Sequence, residues 1–384
     1  MRPGGQGEPV CHVTTVHGPF DDRIFHKECL SLVRAGYEVH LVAVHDRDEV
    51  VDGVHIHALP TPPGRLARIT RWPLLAYRKV LSIHPRICHF HDPELLMVGM
   101  ALRLRGCRVV FDVHENVAEQ IREGKDYMPR ALRLLLSLSY RAVELICTSG
   151  MTTVHVVDSI AASYRHPRVV LRNLPKLEVA PSGSARPLKS RPRLIHTAGL
   201  ISRERGAMTM ISVAADLARR GMDFELRLVG RIHEALHREM IAAIQRAGLA
   251  DRVTLVGWVS FERSQEELAE GDIGLALSQK VANVHRSLPI KLMEYMRFGL
   301  PVVATDVECW KPYVLGIGSG LLVDVNRPEQ IADSIQWLLR HPEESRQMGL
   351  RGRRAVETHL CWDREQQKLL DLYDRLVRPN QTCH

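Results

Sequence analysis

Short apolar runs alternate with stretches of helical period in two successive series along this chain, and a segment suited to neither helix nor strand separates them. That alternation is the signature of βαβ units and parallel sheets. In the first series the runs at 10–15, 39–44, 54–58, 87–90, 109–113, 145–149 and 169–171 read as strands, with helices over 23–35, 72–83, 94–105 and 130–143. The separating segment, 173–192, carries Pro175, Pro181, Gly183, Pro187 and Pro192. The pattern then restarts, with strands at 194–198, 224–229, 253–256, 273–277, 302–304 and 321–323 and helices including 207–220, 234–247 and 290–298. It ends in helices over 328–339, 343–358 and 363–377. The expectation is an α/β protein of two Rossmann-like, doubly wound domains, residues 10–173 and 193–360, with 174–192 as linker. Residues 361–384 would cross back to the first domain. Two such domains should face each other across a cleft at the carboxyl ends of their strands, where ligands of these folds bind.

A chain of 384 residues exceeds what one hydrophobic core ordinarily serves. Apolar and charged residues occur in ordinary globular proportions, which excludes disordered and fibrous classes. With no apolar run of 18 residues and no apolar core near the start, the reading is a soluble, cytoplasmic protein. Eight scattered cysteines without a CxxC pair read as reduced thiols. The net charge of +8 is uneven: nine basic residues from Arg65 to Arg108 face only Asp92 and Glu94 in the same stretch. Such a face suits anionic lipid headgroups at the inner membrane surface, or a solvated surface and nothing more. Nucleic acid is not expected, because no aromatic residues interleave with the charge.

Several segments suit chemistry. At 287–296, Ser287 and Pro289 read as a helix start, leaving the amides of Ile290, Lys291 and Leu292 free to bind a diphosphate. Glu294, one turn further, could accept from both hydroxyls of a ribose. The plain alternative is a surface helix. Gly18, between the first strand and helix, either admits a ligand to the backbone or makes a tight turn. His89 and His91 share one strand face with Asp92 beyond the strand end, and no metal is expected there. Asp46-Arg47-Asp48 has the DxD spacing of metal-dependent transferases, a commonplace arrangement after a strand.

Taken with the segment 299–304, residues 291–296 resemble the donor-binding segment of the family-four retaining glycosyltransferases, which have the GT-B fold. Residues 17–28, His91-Asp92-Pro93-Glu94-Leu95-Leu96 and Asp112-Val113-His114-Glu115 resemble further motifs of that family, covering roughly residues 10–375 in the same order. The resemblance implies a nucleotide-sugar donor, most simply a UDP-sugar, bound by the C-terminal domain, and a hydroxyl acceptor bound by the N-terminal one. It implies that Glu294 binds the ribose and that His114 contacts the donor sugar near the reacting carbon, the two residues carried as catalytic. Gly18, Pro289, Ile290, Lys291 and Leu292 would line the donor site. Asp22, Arg23, His91, Asp92 and Glu115 are candidates on the acceptor side. Two departures stand out. Arg286 occupies the place of the family's first acid, and in 199–206 Leu200 replaces an Arg, while Arg205 keeps the second positive charge. Arg203 either restores the lost charge or points to solvent.

No metal or cofactor is implied. Polysaccharide, glycolipid or glycosylated-metabolite synthesis would fit. Rivals are a nucleotide-sugar 2-epimerase and a scaffold that binds nucleotide sugar without transfer. A nicotinamide oxidoreductase lacks its Gly-x-Gly-x-x-Gly.

Overall fold

The computed structural model describes residues 7–114, 116–123, 128–157, 161, 164, 168–177, 189–279 and 290–378. The chain forms two compact units, one made of Met1–Asn173 with Trp362–His384, the other of Leu174–Cys361. Most of the expected linker, 178–188, lies outside the described residues.

The first unit is built on an eight-stranded sheet. Its strands are β1 (Pro9–Val13), β2 (Glu38–Val44), β3 (Glu49–Val51), β4 (Val54–Leu59), β5 (Ile87–Phe90), β6 (Arg108–Val113), β7 (Thr152–His155) and β8 (Arg168–Val170). Their spatial order is β3-β4-β2-β1-β5-β6-β7-β8, parallel except for the β3-β4 hairpin. The order reverses between β1 and β5, which opens a crevice at their carboxyl ends. All four residues of β5 are buried, as a central strand covered on both faces requires.

Helix α1 starts as a π-type segment (Asp22–Cys29) and continues as an α-helix (Leu30–Arg34). The other helices of this unit are α2 (Arg65–Thr70), α3 (Trp72–Ile83), α4 (Leu96–Leu104), α5 (Val117–Glu123) and α6 (Arg130–Thr148). Helix α3 has the expected limits: Pro73 sits in its first turn and His84 stops it in a left-handed conformation at φ 53°. One expected strand is overturned, because 145–149 continues α6 as far as Thr148. Glu144, Cys147 and Thr148 prolong its buried stripe at helical spacing, and the strand comes later, as β7.

The second unit has strands β9 (Arg193–Ile201), β10 (Glu225–Ile232), β11 (Val253–Gly257), β12 (Ile273–Ala276), β13 (Val302–Thr305) and β14 (Gly320–Val323). They lie wholly parallel in the order β11-β10-β9-β12-β13-β14, reversing between β9 and β12. Helices α7 (Ala207–Arg219), α8 (Glu234–Arg246) and α11 (Pro328–Arg340) contribute to a core with Leu228, Val303 and Val323. Helices α9 (Phe261–Ala269), α10 (Ile290–Arg297) and α12 (Pro342–Thr358) contribute to a second cluster with Ile195, Ala276 and Val302. Gly274 in β12 permits the α10 packing, since a Cβ there would lie 2.4 Å from the Tyr295 ring.

The last helix, α13 (Trp362–Val377), belongs to the first unit. Trp362, Leu369, Leu372, Tyr373 and Val377 enter the cluster that holds Val10, Phe25 and Leu41. Polar ties accompany the packing: Glu365 accepts from the Arg172 amide at 2.8 Å, and the Trp362 indole donates to Ser31 at 3.0 Å.

Candidate functional site

The first polar centre lies where β1, β5 and β6 end. Beyond β1, the Asp92 carboxylate gathers the loop by accepting from the Thr14 hydroxyl at 2.9 Å and the amides of Thr15 at 2.5 Å and Val16 at 3.3 Å. Asp21 then caps α1, accepting from the amides of Arg23 at 2.9 Å and Ile24 at 3.0 Å, while its other oxygen meets His17 Nδ1 at 3.1 Å. That contact, followed by weaker effects of nearby carboxylates, raises the His17 pKa against the opposing effect of burial. Burial works against ionisation of Asp21, but the His17 contact and the two amides prevail and hold it well below the usual carboxylate range.

Underneath, Arg23 pairs with both oxygens of Asp112, at 2.8 and 3.1 Å, and donates to the Leu171 carbonyl at 3.1 Å. Glu28 lies 3.0 Å from the Arg23 Nε. The two acids diverge in consequence. Both suffer desolvation, yet Arg23 and then the neighbouring histidines hold the pKa of Asp112 well down, whereas burial dominates at Glu28 and pushes its pKa well up. Three histidines complete the interior. His91 shares a proton with His12 at 3.0 Å, and Tyr373 of α13 meets both His12 Nε2 and His89 Nδ1 at 3.0 Å. Burial lowers the pKa of all three, so the rings are neutral.

Among the described residues, His114 carries this network outward. Its Nε2 lies 3.2 Å from Asp112 Oδ2, and its ring, about a quarter exposed, sits 5.6 Å from that of His17. The contact between Nε2 and Asp112 fixes the orientation of the ring. Glu28, His89, His91 and Asp112 are the group of described residues whose ligand atoms converge, within 4.8 Å of one another. Arg23 already places a positive charge against both of its acids.

The second centre lies where β9 and β12 diverge. The Lys291 ammonium donates to the Thr197 carbonyl at 2.6 Å, and the Tyr295 hydroxyl bridges the Thr197 amide and the Leu275 carbonyl at 3.1 Å each. Burial, and then Arg205, bring Lys291 down to about 7 against the attraction of Glu294. Arg205 is exposed and makes no ion pair among the described residues. Below it, burial and then Lys291 lower His196 to about 3. Gly206 closes the loop at φ 78°, and a Cβ there would fall 1.8 Å from the Leu277 carbonyl. Lys291, in the first turn of α10, thus lies within electrostatic reach of Arg205 and of Glu294, and a cationic pair at a helix start suits a diphosphate.

The expected residues divide accordingly. His114, Ile290, Lys291, Arg205 and Glu294 lie at the two centres with accessible surface. Leu292 is buried, and only its amide can serve. Arg23 and His91 require correction as acceptor contacts, because both are enclosed in the ion-pair and imidazole network. Asp92 is likewise 2% exposed and holds the β1 loop. Asp22 is exposed and pairs with Lys27 at 2.6 Å. Arg203 points to solvent and pairs with Glu239. Gly18 has open space where a side chain would stand. Asp48 accepts from the Ala58 amide at 2.7 Å and faces Lys79. Glu115, Arg286, Ser287 and Pro289 lie outside the described residues.

Sequence reading gave no role of its own to His17, though it opens the 17–28 segment, and passed over the wall beside Leu200. There Arg231, Ile232, His233, His237 and Leu255 line a cavity with Trp258, whose indole is 64% exposed with Arg231 stacked 5.4 Å from its centre.

Two doubly wound parallel sheets, each with polar groups at its switch point, define the GT-B class of glycosyltransferase fold. Among solved structures, sucrose-phosphate synthase from Thermosynechococcus elongatus superposes with a TM-score of 0.78 at 18% identity, covering 97% of this chain and 100% of that one. Anabaena HepE in complex with UDP-glucose gives 0.70 at 13% identity, covering 95% and 99%. The description "Glycosyltransferase Family 4" matches residues 22–173, and "Glycosyl transferases group 1" matches 184–355. The chain therefore belongs to family four of the glycosyltransferases. Alpha-D-kanosaminyltransferase of Streptomyces kanamyceticus is 30% identical over 156 residues, 41% of this chain and 38% of that protein. The amylovoran biosynthesis glycosyltransferase AmsK of Erwinia amylovora is 26% identical over 187 residues, 48% and 46%. The chain thus spans about half or less of the length of these relatives.

Proposed function

We propose that this protein is a retaining, metal-independent glycosyltransferase that moves a sugar from a nucleotide-sugar donor, a UDP-sugar in the simplest case, to a hydroxyl acceptor. The observation that carries the proposal is Lys291, held in the first turn of α10 against the Thr197 carbonyl and within electrostatic reach of Arg205, with Glu294 one turn further along the helix. As the bond between the anomeric carbon and the diphosphate oxygen breaks, negative charge grows on the leaving group, and these fixed positive groups stabilise it more than they stabilise the intact donor. The acceptor oxygen attacks from the same face, its proton passes to the departing phosphate oxygen, and configuration is retained. Glu294 holds the ribose diol. Trp258 offers a flat aromatic surface in the same domain on which a nucleobase can stack. His114, held by Asp112, contacts the sugar near the reacting carbon. The HepE complex with UDP-glucose supports the donor class, and the relative named for amylovoran biosynthesis supports an acceptor from polysaccharide assembly. A cytoplasmic enzyme working at the inner membrane face fits that role.

A screen of nucleotide sugars by thermal stabilisation, followed by mass-spectrometric detection of product, tests the reading. Product formation should vanish in Glu294→Ala and His114→Ala and survive EDTA. A requirement for added metal would refute metal independence. A second reading, a scaffold that binds nucleotide sugar without transfer, is favoured by Leu200 in place of a cation and by the engagement of Arg203 with Glu239. Donor binding without turnover under any acceptor would establish it, and donor conversion without an acceptor would point to an epimerase.

A further inference from the structure

Helix α6 is folded with its polarity inverted. Its inward stripe is polar: Ser137 donates to the Ala118 carbonyl at 2.6 Å, Glu144 accepts from Arg141 and from the Tyr164 hydroxyl at 2.6 Å each, and Thr148 is buried. Its outward face carries Leu132, Leu134, Leu135, Leu136, Leu138, Val143, Leu145 and Ile146, between 37% and 67% exposed. From residue 131 to 146 no exposed position of this helix is charged. A helix in water places its apolar stripe inward and its polar stripe outward. The opposite arrangement is favourable only where the outer medium is itself apolar.

Helices linked to α6 by packing, α4 directly and then α3 and α2 in turn, also expose apolar side chains. Helix α4 packs against α6 and exposes Met97 at 57% and Leu104 at 75%. Helices α2 and α3 add Leu66, Ile69 and Leu74. Exposed arginines border it at Arg65, Arg71, Arg78, Arg103, Arg105 and Arg130, and α2, α3 and α4 contain no acidic residue. No helix among the described residues is long and apolar enough to cross a membrane.

We propose that the α2-α3-α4-α6 face docks this protein on a bilayer surface rich in anionic lipid, with the α6 leucines entering the headgroup–acyl boundary and the bordering arginines pairing with phosphate. A second copy of the chain is the weaker candidate. A two-fold contact through this face would bring the arginines of both copies together without counter-charges. The consequence for catalysis, an amphiphilic hydroxyl acceptor met at the lipid–water boundary, rests on the transferase reading above. Docking itself does not.

Flotation of the full chain with phosphatidylglycerol or phosphatidylcholine vesicles tests the inference. Binding should favour the anionic vesicles and weaken with salt. It should fall about tenfold or more in the variant carrying Leu135→Glu, Leu138→Glu and Ile146→Glu, and by a similar factor in Arg71→Glu with Arg78→Glu. All five side chains are exposed, so circular dichroism and calorimetric donor binding without lipid should match the parent protein. Failure of donor binding would then count against the transferase reading, not against docking. Absence of the unaltered chain from phosphatidylglycerol vesicles would overturn the proposal, as would binding that the glutamates leave unchanged. A concentration-dependent dimer in light scattering, abolished by the glutamates and unaccompanied by vesicle binding, would assign the face to self-association instead.

Discussion

Lys291 sits near the midpoint of its titration at neutral pH, because burial brings its pKa down to about 7. A diphosphate beside it would raise that value, so the sign of the linkage is fixed. Below pH 6 the ammonium is already protonated, while above pH 7 donor binding must take up a proton, and affinity falls as pH rises. Calorimetry at pH 8 in buffers of different ionisation enthalpy should register uptake approaching one proton per donor, reduced toward zero in Lys291→Met. Heats independent of buffer would refute the role. Asp112 governs the other centre. Asp112→Asn leaves the Arg23 guanidinium buried with its main counter-charge gone, and should cost about 3–5 kcal/mol in denaturant unfolding of the first domain. Sequence reading placed Lys291 at a helix start and His114 at a strand end because both are local features. It did not foresee the burial of Arg23, since nothing near residue 23 in sequence announces that Asp112 and Leu171 will surround it.

The loop from Ser202 to Gly206 shows how a short connection positions a site at the element scale. Gly206 alone satisfies both φ 78° and the approach of the Leu277 carbonyl. Gly206→Ala should cost about 1–3 kcal/mol in backbone strain, with further loss where the carbonyl must move, and should weaken donor binding in a titration by more than its effect on stability explains. An unchanged donor affinity would mean that the loop does not shape the site. The central strands and α3 were legible because apolar runs and a Pro-led helix start encode them directly. The end of α6 was not legible: Leu145, Ile146 and Cys147 are all apolar and read as a buried strand, whereas only Cys147 points inward. Apolar composition registers hydrophobicity, and cannot distinguish an environment of protein core from some other apolar medium.

At the scale of the whole molecule, two repeats of one sheet plan were legible because the alternation restarts after a proline-rich gap, and the last helix was expected to cross back, while the residues it meets there depend on distant pairing. Helix α13 follows the second domain in sequence and packs in the first, where Tyr373 reaches His12 and His89 beneath β1 and β5. Tyr373→Phe should remove those bonds and cost about 1–3 kcal/mol, with the three buried imidazoles shifted in histidine-detected NMR spectra. Deleting residues from Trp362 onward should leave the first domain unable to fold, seen as its selective digestion in limited proteolysis while 174–361 persists. Survival of both halves would show that the helix is dispensable. Because α13 supplies part of the core around Val10 and Phe25, the domain that begins first on the ribosome is the last to be finished. The whole second unit must emerge before the first one closes, and until then its uncovered apolar face depends on chaperones or on the speed of synthesis.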